Sequence, residues 1–482
     1  MHPSLSFQGG TLVLYDFDAH RDKPAQAAMH PAFQWIKARW RCEAYHYPQL
    51  DSWLHSMRVR DRVPCWETLP LNFQDNRQPH DYQIEALDAW QNAGYLGSIV
   101  LPTGAGKTFV AIQAIQRVGR STLIVAPTID LLHQWYARLS NAFASQSQSS
   151  QSKPVEIGVY YGAEKIIEPI TVTTYHSAGD LIAAHGNQFK LIIYDEVHHL
   201  PAPSWGETAL MSPAPYRLGL TATYPEVDEQ HRNKFDNRWR IEDLIGPIVY
   251  EKRIEDLIGK QLAEYRTERI RVDLTTEERN LYDADYEIYV EFIRKHGLHR
   301  SGGANWYLEL MRMSTRDREA RRAVLARQRI QRLLASSEAK LDALDKLLQE
   351  HIHEQVLIFT ESNDAVYRIA RRHLIPALTH QTKAAERKAI LEAYRAGEYP
   401  ALVTSKVLNE GVDVPEAKVA IVLGGNAGAR EYVQRLGRIL RKVGNRHATL
   451  YEIIARKTVD ENRFQRRRAK EREKEKAKEM TR

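Results

Sequence analysis

The hydrophobic pattern of this chain changes character along its length. From about 80 to 250, short apolar runs alternate with amphipathic stretches: GSIVL (97–101), STLIVAP (121–127), ITVTTY (170–175), KLIIYDE (190–196) and YRLGLTAT (216–223). Continuous runs of this length predict buried parallel strands joined by crossover helices. From about 251 to 337 the pattern is mostly helical and highly charged. From about 338 to 455 the alternation returns in QVLIFTE (355–361), ALVTS (401–405), KVAIVLG (418–424) and ATLYEII (448–454). Residues 1 to about 75 are rich in aromatics, including Trp35, Trp40, Trp53 and Trp66, with a predicted strand in TLVLYDF (11–17) and a predicted short helix around 32–40. The expected fold class is α/β: two parallel-sheet lobes, a small N-terminal α+β domain and a helical insert. The expected boundaries are 1–75, 76–250, 251–337 and 338–456, with a charged tail at 457–482.

Length and composition narrow this picture. A chain of 482 residues exceeds one compact core and suggests about three structural units. A hydrophobic fraction of 43% and a mean hydropathy of −0.51 fit a globular protein. No stretch reaches the roughly 18 apolar residues that span a bilayer, and residues 1–18 lack the basic start of a signal peptide. The 2 cysteines, Cys42 and Cys65, have no metal-ligand spacing and read as buried or indifferent thiols of a reducing intracellular compartment. In a prokaryote that compartment is the cytoplasm, with the protein associated with the nucleoid. A net charge of +7 suits a phosphate-bearing partner without identifying one. Basic residues cluster at 312–332 and 466–482; the second cluster reads as a solvated helix or frayed tail. SQSQSSQSK (145–153) is a low-complexity surface loop, and the two copies of IEDLIG (241–246, 254–259) are too short to make a repeat.

Three segments carry chemistry. LPTGAGKT (101–108) follows a predicted strand and opens a predicted helix, the context of a phosphate loop. Thr103, Gly104, Ala105 and Gly106 let backbone N–H groups face a β-phosphate. Lys107 reaches the β/γ-phosphates, and the Thr108 hydroxyl holds Mg²⁺. Leu101 stands where the general pattern has glycine. LIIYDEVHHL (191–200) puts carboxylates at the C-terminal end of a buried strand, the edge where open α/β sheets bind ligands. Asp195 is expected to hold Mg²⁺, and Glu196 to orient and deprotonate the attacking water. Adjacent side chains mostly point apart, so His198 and His199 suit a coupling role for His198 better than a shared metal. In EYVQRLGRILRK (431–442), Gln434, Arg438 and Arg441 fall on one helical face and need an anionic partner. A γ-phosphate supplies one, and arginines so placed are worth roughly 10³–10⁵ in rate. ATP between two lobes, closing them on binding and releasing them on hydrolysis, is the mechanism these segments imply.

With these motifs in order, residues 80–455 resemble superfamily 2 helicases, whose lobes are RecA-like. HDYQIEAL (80–87) resembles the Q-type motif, with Gln83 reading adenine. VAPTIDLLHQW (125–135) is similar to motif Ia, and TVTTYHSA (171–178) to the motif after it; the resemblance implies backbone contacts to nucleic acid, at Pro127, Thr128 and Thr174. LTAT (220–223) matches motif III, implying that Thr221 and Thr223 link hydrolysis to the nucleic-acid site. LIFTES (357–362) and VTSKVLNEGVDVP (403–415) resemble motifs IV and V, with Thr360 and Thr404 toward nucleic acid and Gly411 and Asp413 near the nucleotide. DEVHHLPA, YRLGLTAT and QRLGRILR look most like the XPB group in its compact archaeal and bacterial form. That resemblance implies a DNA translocase or 3′–5′ helicase acting in nucleotide excision repair, with ATP and Mg²⁺ as cofactors and duplex or forked DNA as partner. It further implies a monomer, a nuclease partner protein, a damage-recognition-like domain at 1–75 and a thumb-like insert at 251–337. The group's Arg-Glu-Asp triplet after motif III is missing from TATYPEVDEQH (221–231), so the chain departs from the pattern tied to DNA opening.

Two other readings remain open at this level. Gripping a backbone does not reveal the sugar, so an RNA helicase or remodeller fits the same motifs. An ATP-gated scaffold that recruits a nuclease to DNA fits the missing triplet. The N-terminal aromatics serve either as a small core or as stacking platforms for bases. The arginines of RDREARRAVLARQRIQRLL (316–334) serve either as phosphate contacts or as a solvated face.

Overall fold

Alternating apolar residues at the N-terminus build a five-stranded sheet. Its strands are β1 (Ser4–Gln8), β2 (Thr11–Tyr15), β3 (Gln34–Ile36), β4 (Arg39–Glu43) and β5 (Arg60–Asp61), with a helix α1 (Asp51–Ser56) before β5. The spatial order is β3-β4-β2-β1-β5, antiparallel except for β5 beside β1. The computed structural model describes residues 3–17, 29–71, 77–102, 104–143, 155–225, 240–252, 256, 265–298, 305–405, 417–423 and 448–462. Residues 32–40, expected as a helix, contribute to the β3–β4 hairpin instead. Lys37 and Ala38 both have positive φ (48° and 61°), as a two-residue turn matched to strand twist requires. Trp35 and Trp40 pair across it with ring centroids 5.2 Å apart.

The aromatics of this domain are mostly spent on its core. Trp40 is buried among Leu5, Leu12, Leu14 and Leu54, and Trp53 packs against Phe17 and Phe33. Trp66 meets Tyr47 edge-on. Only Trp35 of the four is exposed. Cys42 lies in the same core, where burial pushes its thiol up to about 12. It is an inert thiol at neutral pH.

The chain divides into two compact units, formed mainly by residues 1–256 and 257–482. In the first, the N-terminal sheet is docked onto a larger one. Asn187 donates to the Val63 carbonyl at 2.9 Å and accepts from the Cys65 N–H at 3.1 Å. The larger sheet and its helices run α2 (Asp81–Asn92), β6 (Leu96–Val100), α3 (Lys107–Val118), β7 (Thr122–Ala126), α4 (Ile129–Phe143), β8 (Ile157–Tyr161), β9 (Glu164–Ile166), β10 (Ile170–Thr174), α5 (Tyr175–His185), β11 (Leu191–Asp195), α6 (Pro203–Leu210), β12 (Tyr216–Thr221), α7 (Ile241–Leu244) and β13 (Ile248–Glu251). Strand order is β13-β6-β12-β11-β7-β10-β8-β9, parallel except for the β8–β9 hairpin. Every apolar run expected in 80–250 is one of these strands. Strands β7, β10 and β11 are buried at every position, as helices on both faces demand.

Register then brings the motifs to one edge. Asp195 lies opposite Leu220, Thr221 opposite Val100, and Thr174 opposite Ala126. The C-terminal ends of β6, β12, β11, β7 and β10 are therefore level, and the segments leaving them share one rim.

The second unit holds a six-stranded parallel sheet, in the order β14-β19-β18-β15-β17-β16. Its elements are β14 (Tyr265–Val272), α8 (Thr276–Lys295), α9 (Asn305–Met313), α10 (Arg318–Ala335), α11 (Glu338–Glu350), β15 (Val356–Thr360), α12 (Asn363–His373), β16 (Ala377–Leu378), α13 (Ala384–Arg395), β17 (Ala401–Thr404), β18 (Val419–Leu423) and β19 (Ala448–Ala455). Of the stretch expected as mostly helical, 251–337, the described residues from Thr276 on hold α8, α9 and α10, whereas β14 pairs over eight residues with β19 as an outer strand of this sheet. In chain order α8, α9 and α10 thus follow β14 and precede α11 and β15. Helix α8 opens on a reciprocal cap: Thr275 Oγ1 accepts from Glu278 N–H, and Glu278 accepts from Thr275 N–H. Lys340, fully buried, donates to Asp460 at 2.5 Å and joins α11 to the chain beyond β19.

Candidate nucleotide-hydrolysis site

The phosphate-loop segment leaves β6 and enters α3 through glycines in left-handed geometry, Gly104 (φ 89°) and Gly106 (φ 79°). A Cβ on Gly106 would meet Gln83 Nε2 at 2.4 Å and displace the end of that side chain, and the left-handed φ itself favours glycine. Gln83, itself buried, donates from Nε2 to the Ala105 carbonyl at 3.0 Å and accepts the His80 N–H at 3.0 Å. Tyr82 donates to the same carbonyl at 2.8 Å. The residue expected to read adenine therefore braces the loop, and Tyr82 is a second brace that motif reading did not identify. Lys107 donates to the Leu101 carbonyl at 3.3 Å, across the mouth of the loop.

Asp195 ends β11 and is buried. Burial and the neighbouring Glu196 charge push its carboxyl up, while the Trp135 indole, the Lys107 ammonium and the Glu196 N–H oppose the shift. Two of these groups donate hydrogen bonds to it: Trp135 Nε1–H to Oδ2 at 2.8 Å, and the Glu196 N–H to Oδ1 at 3.0 Å. Lys107 and Asp195, drawn from separate motifs, thus act on one another electrostatically. Thr108, in the first turn of α3, accepts a bond from Arg138 at 2.8 Å. Hydroxyl and carboxylate oxygens are hard donors, a set that fits Mg²⁺.

Glu196 takes a left-handed conformation (φ 48°, ψ 55°), which costs a non-glycine residue about 1–2 kcal/mol. That strain turns the chain out of the strand into a 3-10 turn, Val197–His199. Gly219 makes room for the turn, since a Cβ there would approach both Val197 methyls at 3.1 Å. In return the turn reaches β12. His198 Nδ1 lies 2.9 Å from Thr221 Oγ1, and Glu196 Oε2 is 3.4 Å from both atoms. Thr221 also lies 2.8 Å from the Thr223 carbonyl and accepts the Thr223 N–H at 3.1 Å, so its single proton serves one of three acceptors: Glu196, the Thr223 carbonyl or an unprotonated His198 Nδ1. The expected coupling residues, His198, Thr221 and Thr223, are one connected group with Glu196. His198 and His199 do not point apart as expected, because the tight turn sets their rings 4.1 Å apart. Among the described residues no group of three or more His, Cys, Asp or Glu side chains could hold a metal ion.

The expected nucleic-acid residues divide. Pro127 and Thr128 are half-buried at the head of α4, where the Thr128 hydroxyl accepts the Leu131 N–H at 3.3 Å. Thr174, Thr360 and Thr404 are buried. Thr360 donates to the Ala335 carbonyl at 3.4 Å and Thr404 to the Ser405 carbonyl at 3.1 Å. In this structure the hydroxyls of Thr360 and Thr404 are bonded to backbone carbonyls of the fold. Thr103, Gly411, Asp413, Gln434, Arg438 and Arg441 lie outside the described residues. In the insert, Arg329 is held bidentately by Asp285 and Arg327 lies over Tyr307, whereas Arg318, Arg321, Arg322 and Arg332 are exposed.

Comparison with known proteins gives the chain's relatives. Residues 76–226 match the family model described as "Type III restriction enzyme, res subunit", and residues 339–443 match "Helicase conserved C-terminal domain". The chain is 38% identical over 445 residues to "DNA 3'-5' translocase XPB2" of Sulfurisphaera tokodaii, covering 92% of this chain and 97% of that one. It is 32% identical to "DNA 3'-5' helicase XPB" of Mycobacterium tuberculosis over 82% of this chain, and spans 64% of that protein's length. In structure it is similar to the Hef helicase domain of Pyrococcus furiosus, with a TM-score of 0.51, 19% identity, and 83% of this chain and 100% of that one covered. That likeness concerns the fold: two RecA-like lobes. No helix among the described residues is long and apolar enough to cross a membrane.

Proposed function

Starting from the fact that the chain belongs to the XPB group of superfamily 2 helicases, we propose that it is an ATP-driven DNA translocase of 3′–5′ direction acting in DNA repair. The observation that carries the reading is the connected group Glu196–His198–Thr221–Thr223 beside Asp195 and the phosphate loop. It supplies a base, a path for sensing that base, and a rim shared with the nucleic-acid motifs.

Each residue then has a task. Gly104 and Gly106 shape the loop so that its N–H groups meet the phosphates, and Lys107 neutralises them. Thr108 and Asp195 would hold Mg²⁺, which would supply positive charge to offset the negative charge that develops on the phosphates. Glu196 orients a water and takes its proton. Its carboxylate, 3.4 Å from Thr221 Oγ1, changes charge as it does so. Thr221 and His198 then redistribute their bonds, which is how hydrolysis is felt along β12. Gln434, Arg438 and Arg441, outside the described residues, are the proposed charge donors to the γ-phosphate.

Movement along DNA is favoured over strand opening. The Arg-Glu-Asp triplet associated with opening is missing from 221–231, and the relative that this chain covers almost entirely is itself named a translocase. Steady-state ATP turnover with duplex DNA, single-stranded DNA and structured RNA, over a salt series, tests the proposal. The expected result is stimulation by duplex DNA that falls steeply with salt, as phosphate contacts require. Stimulation by RNA alone would replace the DNA reading.

A further inference from the structure

Two side chains of α4 reach the two residues proposed to hold Mg²⁺. Trp135 is 1% exposed, and its indole N–H donates to Asp195 Oδ2 at 2.8 Å. Arg138, three residues on and so on the same helical face, donates from Nη1 to Thr108 Oγ1 at 2.8 Å. A buried tryptophan on an amphipathic helix is ordinarily core. Trp135 differs because its one polar group is bonded to a carboxylate. The two Asp195 oxygens are shared out, Oδ2 to Trp135 and Oδ1 to the Glu196 N–H. Each oxygen therefore keeps lone-pair capacity in a fixed direction.

We propose that Trp135 and Arg138 are positioning residues for the divalent cation, fixing the Asp195 carboxylate and the Thr108 hydroxyl so that their remaining lone pairs converge on one ion. Each acts through the oxygen it holds, as partners behind metal ligands generally do. Thr128 caps the same helix, about 10 Å from Trp135 at 1.5 Å per residue. One rigid element therefore carries both a proposed DNA contact and the supports of both metal ligands.

The inference rests on the phosphate-loop reading above, and the test separates the two. Binding of a fluorescent ATP analogue to the full chain is followed by anisotropy, in EDTA and over a Mg²⁺ titration. Trp135→Phe keeps the apolar bulk and removes the N–H. Its Mg²⁺ requirement for tight nucleotide binding is expected to rise on the order of 10- to 100-fold, with affinity in EDTA unchanged. Arg138→Met, at a half-buried position that tolerates the change, is expected to shift the requirement the same way by less; it carries the test alone should Trp135→Phe fail to fold by circular dichroism. A wild-type Mg²⁺ dependence in the folded variants overturns the inference. A wild-type protein that binds no nucleotide overturns the phosphate-loop reading instead.

Discussion

His198 Nδ1 lies 2.9 Å from Thr221 Oγ1, closing a contact between the turn after β11 and the end of β12 across 23 residues of sequence. Glu196 Oε2 stands 3.4 Å from each. Protonation of the proposed base therefore alters the bonding of a residue on another strand. His198→Ala removes that path while leaving the loop and carboxylates in place. The expected outcome is a loss of coupling of about tenfold, within the range of site-to-site coupling energies, measured as ATP consumed per DNA-bound strand displaced. An unchanged ratio would remove His198 from the coupling group.

Lys107→Ala is expected to lower ATP turnover by at least about 100-fold, because it deletes a preorganised charge on the phosphates. Circular dichroism should remain that of the wild type, since the Lys107 bond to the Leu101 carbonyl is a single partly buried contact. Turnover near the wild-type value would sink the phosphate-loop assignment.

Glu196→Gln separates binding from hydrolysis. Amide and carboxylate have the same shape, so nucleotide affinity should persist while turnover falls by roughly 10²–10⁴, the usual worth of a positioned base. Single-turnover hydrolysis alongside equilibrium binding measures both. Equal losses in the two would assign Glu196 to binding.

Arg217 makes a prediction about stability. It is 2% exposed and donates to four carbonyls, those of Ala209, Ser212, Ala214 and Leu244, at 2.7–3.2 Å. Its guanidinium lies 4.5 Å from the centre of the Tyr45 ring, which belongs to the N-terminal sheet domain. Tyr45 in turn donates to the Asp243 carbonyl. Arg217→Met leaves four buried acceptors without their donor, at about 1–3 kcal/mol each and less than additively. A loss of about 3–5 kcal/mol in guanidinium unfolding is expected; a loss below about 1 kcal/mol would mean that water or another donor takes over.

The strands that carry the chemistry were legible because burial on both faces leaves an unbroken apolar run, as in Leu191–Asp195. Strand β14 was not, because Tyr-Arg-Thr-Glu-Arg-Ile-Arg-Val has the charge density of the helices that follow it, and an outer strand needs few apolar residues. The β3–β4 hairpin was taken for a helix because its turn residues, Lys37 and Ala38, are not the usual Asn-Gly pair. Thr360 and Thr404 are buried at the ends of their strands, a burial that no spacing in the sequence betrays. Trp135 and Arg138 were missed for a related reason: a core tryptophan and a surface arginine look alike whether or not they bond to a metal ligand. The one available signal is that Trp135 ends motif Ia and Arg138 follows it by three residues.

Displacement of a third DNA strand from a triplex, with ATP consumption followed in the same tube, tests the central claim most directly. Steady displacement that requires ATP, is lost in Glu196→Gln and proceeds without opening the underlying duplex is the predicted result. DNA-stimulated hydrolysis with no displacement of the third strand would contradict translocation and leave an ATP-gated scaffold in its place.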